Sequence, residues 1–253
     1  AATERPRPRE RPDRSGRPGG GAGGPVKGGP PTARAPVARL VARRVGFTYP
    51  GGVAALDRVD LEIRAGAVTA VVGPNGAGKS TLFDCLAGTL RPTAGRVVLD
   101  GVDITKRAAH RRHQLGVART FQQLAVFPSL TVEENVLVGA RGRDAETAVE
   151  RALRLAGLAG PVRRTAAAGL PTGTLRRVEL ARALAAEPHT LLLDEPAAGL
   201  DAGETDALAR VLAALAADGL AVLVIEHDPD LVAGIARTVH TMENGRIVSR
   251  TGP

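Results

Sequence analysis

The stretch "GPNGAGKST" at positions 73–81 sets glycines, a lysine and two hydroxyls in the spacing G-x-x-x-x-G-K-[ST]. Glycine has no Cβ, so Gly73, Gly76 and Gly78 let successive backbone N–H groups turn inward as a nest for an anion. A helix starting directly behind them adds the positive end of its dipole. In this loop of Gly73, Pro74, Asn75, Gly76, Ala77, Gly78, Lys79, Ser80 and Thr81, the lysine reaches the β- and γ-oxygens of a triphosphate. The Ser80 hydroxyl is placed to ligate Mg²⁺.

Two further stretches supply groups that such a loop needs. "TLLLDEP" (190–196) ends a buried strand on two carboxylates. Asp194 beside a phosphate loop is expected to hold magnesium, and Glu195 to polarise a water against the γ-phosphate. Taken alone, Asp-Glu after three leucines is an ordinary strand end; paired with the loop it becomes a catalytic candidate. "VLVIEHD" (222–228) places His227 at the exit of the next strand, where an imidazole contacts the γ-phosphate and orients the water. The bland account of His227 is a structural residue at a strand end.

The elements that must position these groups follow from pattern. "AVTAVVG" (67–73) is a continuous apolar strand, with a helix expected from about Gly78 to Leu90. "VARLVARRVGFTY" and "ALDRVDLEIRAG" carry the short alternation of strands. Asp100-Gly101 and Asn244-Gly245 sit between alternating residues and predict hairpins. Residues 129–185 are rich in Ala, Leu, Arg and Glu, a helical composition. "TLLLDEP" and "LAVLVIEHD" are further buried strands.

Composition limits the alternatives. Hydrophobic residues make up 43% of the 253, enough for a substantial core, while aromatics are 2% and Trp is absent. Such a core is built of Val, Leu, Ile and Ala, which suits a mostly parallel α/β sheet. The single cysteine, Cys85, excludes an internal disulfide framework and fits a reducing compartment. No apolar run reaches the eighteen or so residues of a membrane span, and the start lacks the apolar segment of a secretory signal. These features predict a cytoplasmic protein whose membrane role comes through a partner. Residues 1–36 hold eight Pro, eight Gly, and eight Lys or Arg against three acids, so most of the net charge of +8 lies there. The composition predicts a disordered tail, read as a solvated linker in preference to an arm for nucleic acid or anionic lipid. Folded sequence begins near Val37.

Together these motifs resemble the ATP-binding subunits of the ABC family over residues 38–251. The resemblance implies an α/β fold: a P-loop (RecA-like) core, an antiparallel β subdomain and a helical signature subdomain at about 125–185, within a domain spanning 37–253. ATP and Mg²⁺ are the implied ligands. Tyr49 in "GFTYPGG" matches the family's adenine-stacking aromatic, against the bland alternative of an exposed strand residue. Gln122 in "RTFQQLAVFPSL" matches the Q-loop glutamine, implying magnesium contact and coupling to a membrane partner. Asp201 in "AAGLD" falls in the D-loop, implying contact with the opposite subunit. The stretches "RTFQQ", "LDEPAAGLD" and "IEHD" are similar to the branched-chain amino-acid type of importer ATPase.

The family signature Leu-Ser-Gly-Gly-Gln, which closes over the ATP of a second subunit, aligns with Leu170, Pro171, Thr172, Gly173 and Thr174. Pro171 brings neither the hydroxyl nor the N–H of the serine it replaces. The amides of Gly173 and Thr174 are expected to open a helix beginning at about Leu175, and Thr172 offers a displaced hydroxyl. A complete phosphate half beside a weakened signature predicts a heterodimer, with homodimers tolerating proline as the rival account. The leading reading is thus an ATPase motor on the inner face of the cell membrane, with permease subunits, a second ATP-binding subunit and a possible solute-binding protein as partners. Its coupling surface is expected around residues 122–138, where Phe121 and Phe127 either add contact area or fill the core. The other reading is a soluble ABC-type ATPase acting on nucleic acid or an assembly; nucleic acid is the less expected partner, since the basic excess lies in the tail.

Overall fold

The computed structural model describes residues 37–121 and 124–252. The tail expected at 1–36 lies outside these residues.

The apolar runs form the centre of a six-stranded sheet. β3 (Ala67–Val72), β7 (Thr190–Asp194) and β8 (Ala221–Ile225) lie parallel, with Val68 opposite Val222 and Leu193 opposite Val224. β6 (Val117–Arg119) pairs parallel with β7, and β9 (Thr238–Glu243) pairs parallel with β3. β10 (Arg246–Thr251) closes one edge antiparallel, giving the order β10-β9-β3-β8-β7-β6. Both faces are covered, so these strands read as unbroken apolar sequence.

Alternation then assigns each side chain to a layer. Val71, Leu192, Leu223 and Ile225 pack on one side with α1 (Lys79–Ala87). Leu191, Leu193, Val222 and Val224 pack on the other, beneath α3 (Val132–Leu137), α4 (Ala145–Leu155), α5 (Thr172–Leu184) and α6 (Ala202–Ala217). Leu191, Leu192 and Leu193 are fully buried. Each such leucine contributes roughly 1.5–3 kcal/mol of burial free energy.

A second, antiparallel sheet covers the α1 layer. β1 (Ala38–Thr48), β2 (Ala54–Arg64), β4 (Ala94–Leu99) and β5 (Val102–Asp103) run in the order β2-β1-β4-β5. The Asp100-Gly101 turn has φ of 47° and 82°, and Asn244-Gly245 has 46° and 76°. Two consecutive positive φ values are the mark of the tight hairpins expected at both places. Two short helices complete the chain, α2 (Ala109–Gln114) and α7 (Pro229–Ile235).

Two helix limits differ from expectation. The helix behind the phosphate loop ends at Ala87 instead of Leu90, because Gly88 takes φ 87° as its cap. Buried Arg112 secures that end, donating through Nη1 to the carbonyls of Cys85 and Leu86, each at 2.7 Å. The signature helix begins at Thr172 rather than Leu175. Pro171 is its N-cap, a position where a missing N–H costs nothing because no intrahelical acceptor is waiting for it. The stretch 129–185 is also less uniformly helical than composition suggests, with a 3-10 turn at Pro161–Arg164 and an antiparallel bridge from Thr131 to Ala166.

Candidate nucleotide site

At two of its glycines the loop 73–81 abuts backbone that leaves no room for a side chain. Gly73 has φ 150°, and a Cβ there would collide with the Met242 carbonyl; Gly78 has φ 99° and faces the Ala55 carbonyl in the same way. Only glycine tolerates both the conformation and the approach. Pro74, Asn75, Gly76 and Ser80 are exposed at the loop's mouth, whereas Ala77, Lys79 and Thr81 are buried. Lys79 folds back, its Nζ donating to the carbonyls of Gly73 (2.8 Å) and Pro74 (2.9 Å). Desolvation pulls its pKa down, against the carboxylates of Glu195 and Asp194, which pull it up.

β7 and β8 deliver the remaining groups side by side. Asp194 pairs in register with Ile225, so the residues just beyond each strand meet. Burial pushes the Asp194 carboxyl up to about 6, with Glu195 and Asp84 adding to the rise and Lys79 and Arg119 opposing it. Asp194 Oδ1 is buried without a hydrogen-bond partner. An orphaned carboxylate oxygen beside a phosphate loop is what a hard divalent cation satisfies, so this donor fits Mg²⁺. Glu195 sits at φ 47°, an uncommon conformation for a side-chain-bearing residue, and such strain gathers at functional sites. His227 Nε2 lies 3.1 Å from Glu195 Oε1.

Glu226 was not singled out in the sequence, yet it fixes this pair. It is buried; its Oε1 accepts from Ala197 N–H at 2.8 Å and its Oε2 from His227 N–H at 2.9 Å. One carboxylate thereby spans the loop after Glu195 and the backbone of His227. Spacing gives no hint of this, since acceptors of backbone amides have no motif of their own.

Tyr49 stands beside the loop. Its hydroxyl is 3.1 Å from Thr81 Oγ1, and its ring meets Phe47 edge-on with centroids 4.8 Å apart. It is 40% exposed. Gln122, and Gln123 next to it, lie outside the described residues.

The signature residues sit elsewhere. Among the described residues, no hydrogen bond or ion pair joins 171–174 to 73–81. Thr172 is exposed, while Gly173 and Thr174 are buried. Thr174 Oγ1 accepts from Arg177, and a Cβ at Gly173 would collide with the Glu204 carboxylate. Asp201 caps α6, accepting from Glu204 N–H at 2.8 Å while the Glu204 side chain returns to the Asp201 N–H. That capping box gives Asp201 a structural task of its own.

The segment after Gln122 is tied to the signature helix by residues that sequence reasoning also missed. Ala125 N–H donates to Glu179 Oε1 at 2.9 Å, and Arg182 donates to the Ala125 carbonyl at 2.6 Å. Phe127 is held by Asn135, which accepts from its N–H and donates to its carbonyl. Phe121 and Phe127 are 43% and 46% exposed, and Leu124, Leu137 and Val138 are exposed near them in sequence. The two phenylalanines therefore present surface; they do not fill the core.

Residues 56–198 match the family model described as ABC transporter. This chain belongs to the ABC transporter ATP-binding family. Membership carries the ATPase class that the motifs predict. The chain is 37% identical over 216 residues to the high-affinity branched-chain amino acid transport ATP-binding protein BraF of Pseudomonas aeruginosa, covering 77% of this chain and 84% of that one. It is 36% identical to the ribose import ATP-binding protein RbsA 1 of Mesorhizobium japonicum over 79% of its own length, but spans only 40% of that protein. Among solved structures, the ADP conformation of MJ1267, an ATP-binding cassette of an ABC transporter, superposes with a TM-score of 0.80 at 28% identity, covering 86% of this chain and 92% of that one. The P-loop core, antiparallel β subdomain and helical subdomain expected from the motifs are those of this fold. Among the described residues, no helix is long and apolar enough to cross a membrane.

Proposed function

We propose that this chain, through its domain at 37–253 with the helical part at about 125–185, is the ATP-binding and hydrolysing motor subunit of a membrane transporter. The proposed cargo is an amino acid or similar small polar solute, taken inward. The observation carrying the hydrolytic part is the juxtaposition of the orphaned Asp194 oxygen with the Glu195–His227 contact, next to the phosphate loop.

In this reading the amides of 73–78 grip the β-phosphate, and Tyr49 offers a stacking face to adenine. Lys79 exchanges the carbonyls of Gly73 and Pro74 for phosphate oxygens. Ser80, Asp194 and Gln122 hold Mg²⁺, which when bound neutralises developing charge on the β- and γ-oxygens. Glu195 takes the proton of the attacking water, and His227 orients that water and the γ-phosphate. Glu226 keeps these two in step. Thr172, Gly173, Thr174 and Asp201 serve the nucleotide of the opposite subunit.

Pro171 favours a heterodimer in which a different ATPase supplies a complete signature to the nucleotide held here. The similarity to BraF, a branched-chain amino acid transport protein by name, supports the importer reading. The exposed apolar residues between Phe121 and Val138 support the reading of a permease contact on the inner face of the membrane, with a solute-binding protein as a further partner. Affinity purification from gently solubilised membranes tests this. A multi-span permease and a second ATP-binding subunit should co-purify, with turnover raised in the reconstituted complex. Recovery as a free ATPase stimulated by nucleic acid would contradict it.

A further inference from the structure

The outer face of the antiparallel sheet carries basic side chains that nothing in ATP hydrolysis uses. Arg43, Arg44, Arg58 and Arg96 line one recess of about 830 Å³. Arg91, Lys106 and Arg107 line a second, of about 710 Å³. The recesses adjoin, sharing Ala94, Gly95, Arg96 and Asp103. Within the two linings seven cations meet one carboxylate, that of Asp103, which is already engaged by the N–H and hydroxyl of Thr105; at the margin Asp57 pairs with Arg58 and Asp60 accepts from the Arg44 N–H.

Several features show that this charge is concentrated at a cost to the fold. Arg43 and Arg96 stand directly opposite on β1 and β4, a like-charge pair that destabilises a sheet. Arg44 and Arg58 each adopt φ 49°, an uncommon backbone for arginine, at irregularities that turn neighbouring strands. Among the described residues, Arg58 is the one member in an ion pair within 4 Å, with Asp57. Six of the seven are arginine, whose planar fork matches phosphate oxygens in a way that lysine does not.

The lining narrows the ligand. Neither recess is lined by an aromatic residue, so there is no platform for a stacked base. Neither presents a large exposed apolar side chain for insertion into a bilayer, and Val98, the one valine, is buried. What remains is recognition of repeated phosphate charge along a continuous trough. We propose that this trough binds a linear inorganic polyphosphate chain, separately from the nucleotide site.

The test uses the full chain saturated with Mg-ATP, so that loop 73–81 is already filled. Tripolyphosphate and medium-chain polyphosphate are titrated by calorimetry, alongside duplex DNA and vesicles of anionic phospholipid. Saturable polyphosphate binding is expected, tightening with chain length and weakening steeply with salt. R43Q/R96Q should weaken it at least tenfold while ATP turnover holds and melting temperature is level or higher. The milder R43Q alone gives the intermediate loss if the double variant folds poorly. Binding that vanishes once ATP is present, binding unchanged in R43Q/R96Q, or arginine-dependent binding confined to DNA or vesicles would each overturn the proposal.

Discussion

His227 Nε2 approaches Glu195 Oε1 at 3.1 Å, joining the ends of two adjacent parallel strands. Neither group could be so placed by its own loop alone. The contact is set by the register of β7 against β8 and by Glu226, which holds the backbone on both sides.

Glu195→Gln keeps the size of the side chain but removes the proton acceptor. General base catalysis contributes about 10²- to 10⁴-fold, so turnover should fall by about two orders of magnitude or more. ATP binding should persist, and the variant should accumulate as an ATP-bound dimer on size exclusion. His227→Ala should likewise lower kcat with a smaller change in KM. Unchanged turnover in Glu195→Gln would remove the proposed base.

Glu226→Ala strips the acceptor from two backbone N–H groups. Leaving a buried donor unsatisfied costs about 1–3 kcal/mol each, so the melting temperature should drop. A purely structural role predicts only that drop. The positioning role predicts that surviving folded enzyme also loses kcat more than KM, with Glu226→Gln recovering part of both.

Asp194 gives a pH signature. Its folded carboxyl is raised from 3.8 to about 6, so the folded state binds a proton more readily than the unfolded chain. Stability of the nucleotide-free protein should therefore decline as pH rises from about 4 through 6, by on the order of 3 kcal/mol from this group. Asp194→Asn should flatten that decline. Magnesium affinity should change the other way, weakening below pH 6 as the ligand becomes protonated. Thermal melts against pH, with and without Mg-ATP, read both effects.

Pro171→Ser restores a hydroxyl and an N–H to the signature turn. Each charge-assisted hydrogen bond is worth about 1.5–3 kcal/mol, and about 1.4 kcal/mol is tenfold in rate. If the heterodimer account holds, the wild-type chain alone turns over slowly and Pro171→Ser raises that rate at least tenfold. Cooperative hydrolysis at ordinary rates by the unmodified homodimer would remove its basis.

Legibility in the sequence followed the kind of constraint at work. The phosphate loop was readable because Gly73 and Gly78 abut backbone carbonyls that exclude any Cβ. The hairpins were readable because Asp100-Gly101 and Asn244-Gly245 need positive φ at both residues. The start of α5 was misplaced by three residues because Thr-Gly-Thr has poor intrinsic helix propensity, and packing of Gly173 and Thr174 overrides it. Glu226 and Glu179 were invisible because each meets backbone groups of a distant loop, and Asn135 because it meets those of the turn just ahead of its helix. Such partners exist only once the chain has folded. Phe121 and Phe127 could be read either way from sequence, and exposure decides them as surface.

The claim on which the account turns is that residues 73–81 bind a nucleotide triphosphate together with a divalent ion held by Asp194. Calorimetric titration of ATP into the full chain, with magnesium and then with chelator, tests it directly. The account predicts a saturable, magnesium-dependent signal that Lys79→Ala and Asp194→Asn each weaken at least tenfold. Folded protein that takes up no ATP, or takes it up equally in both variants, would contradict it.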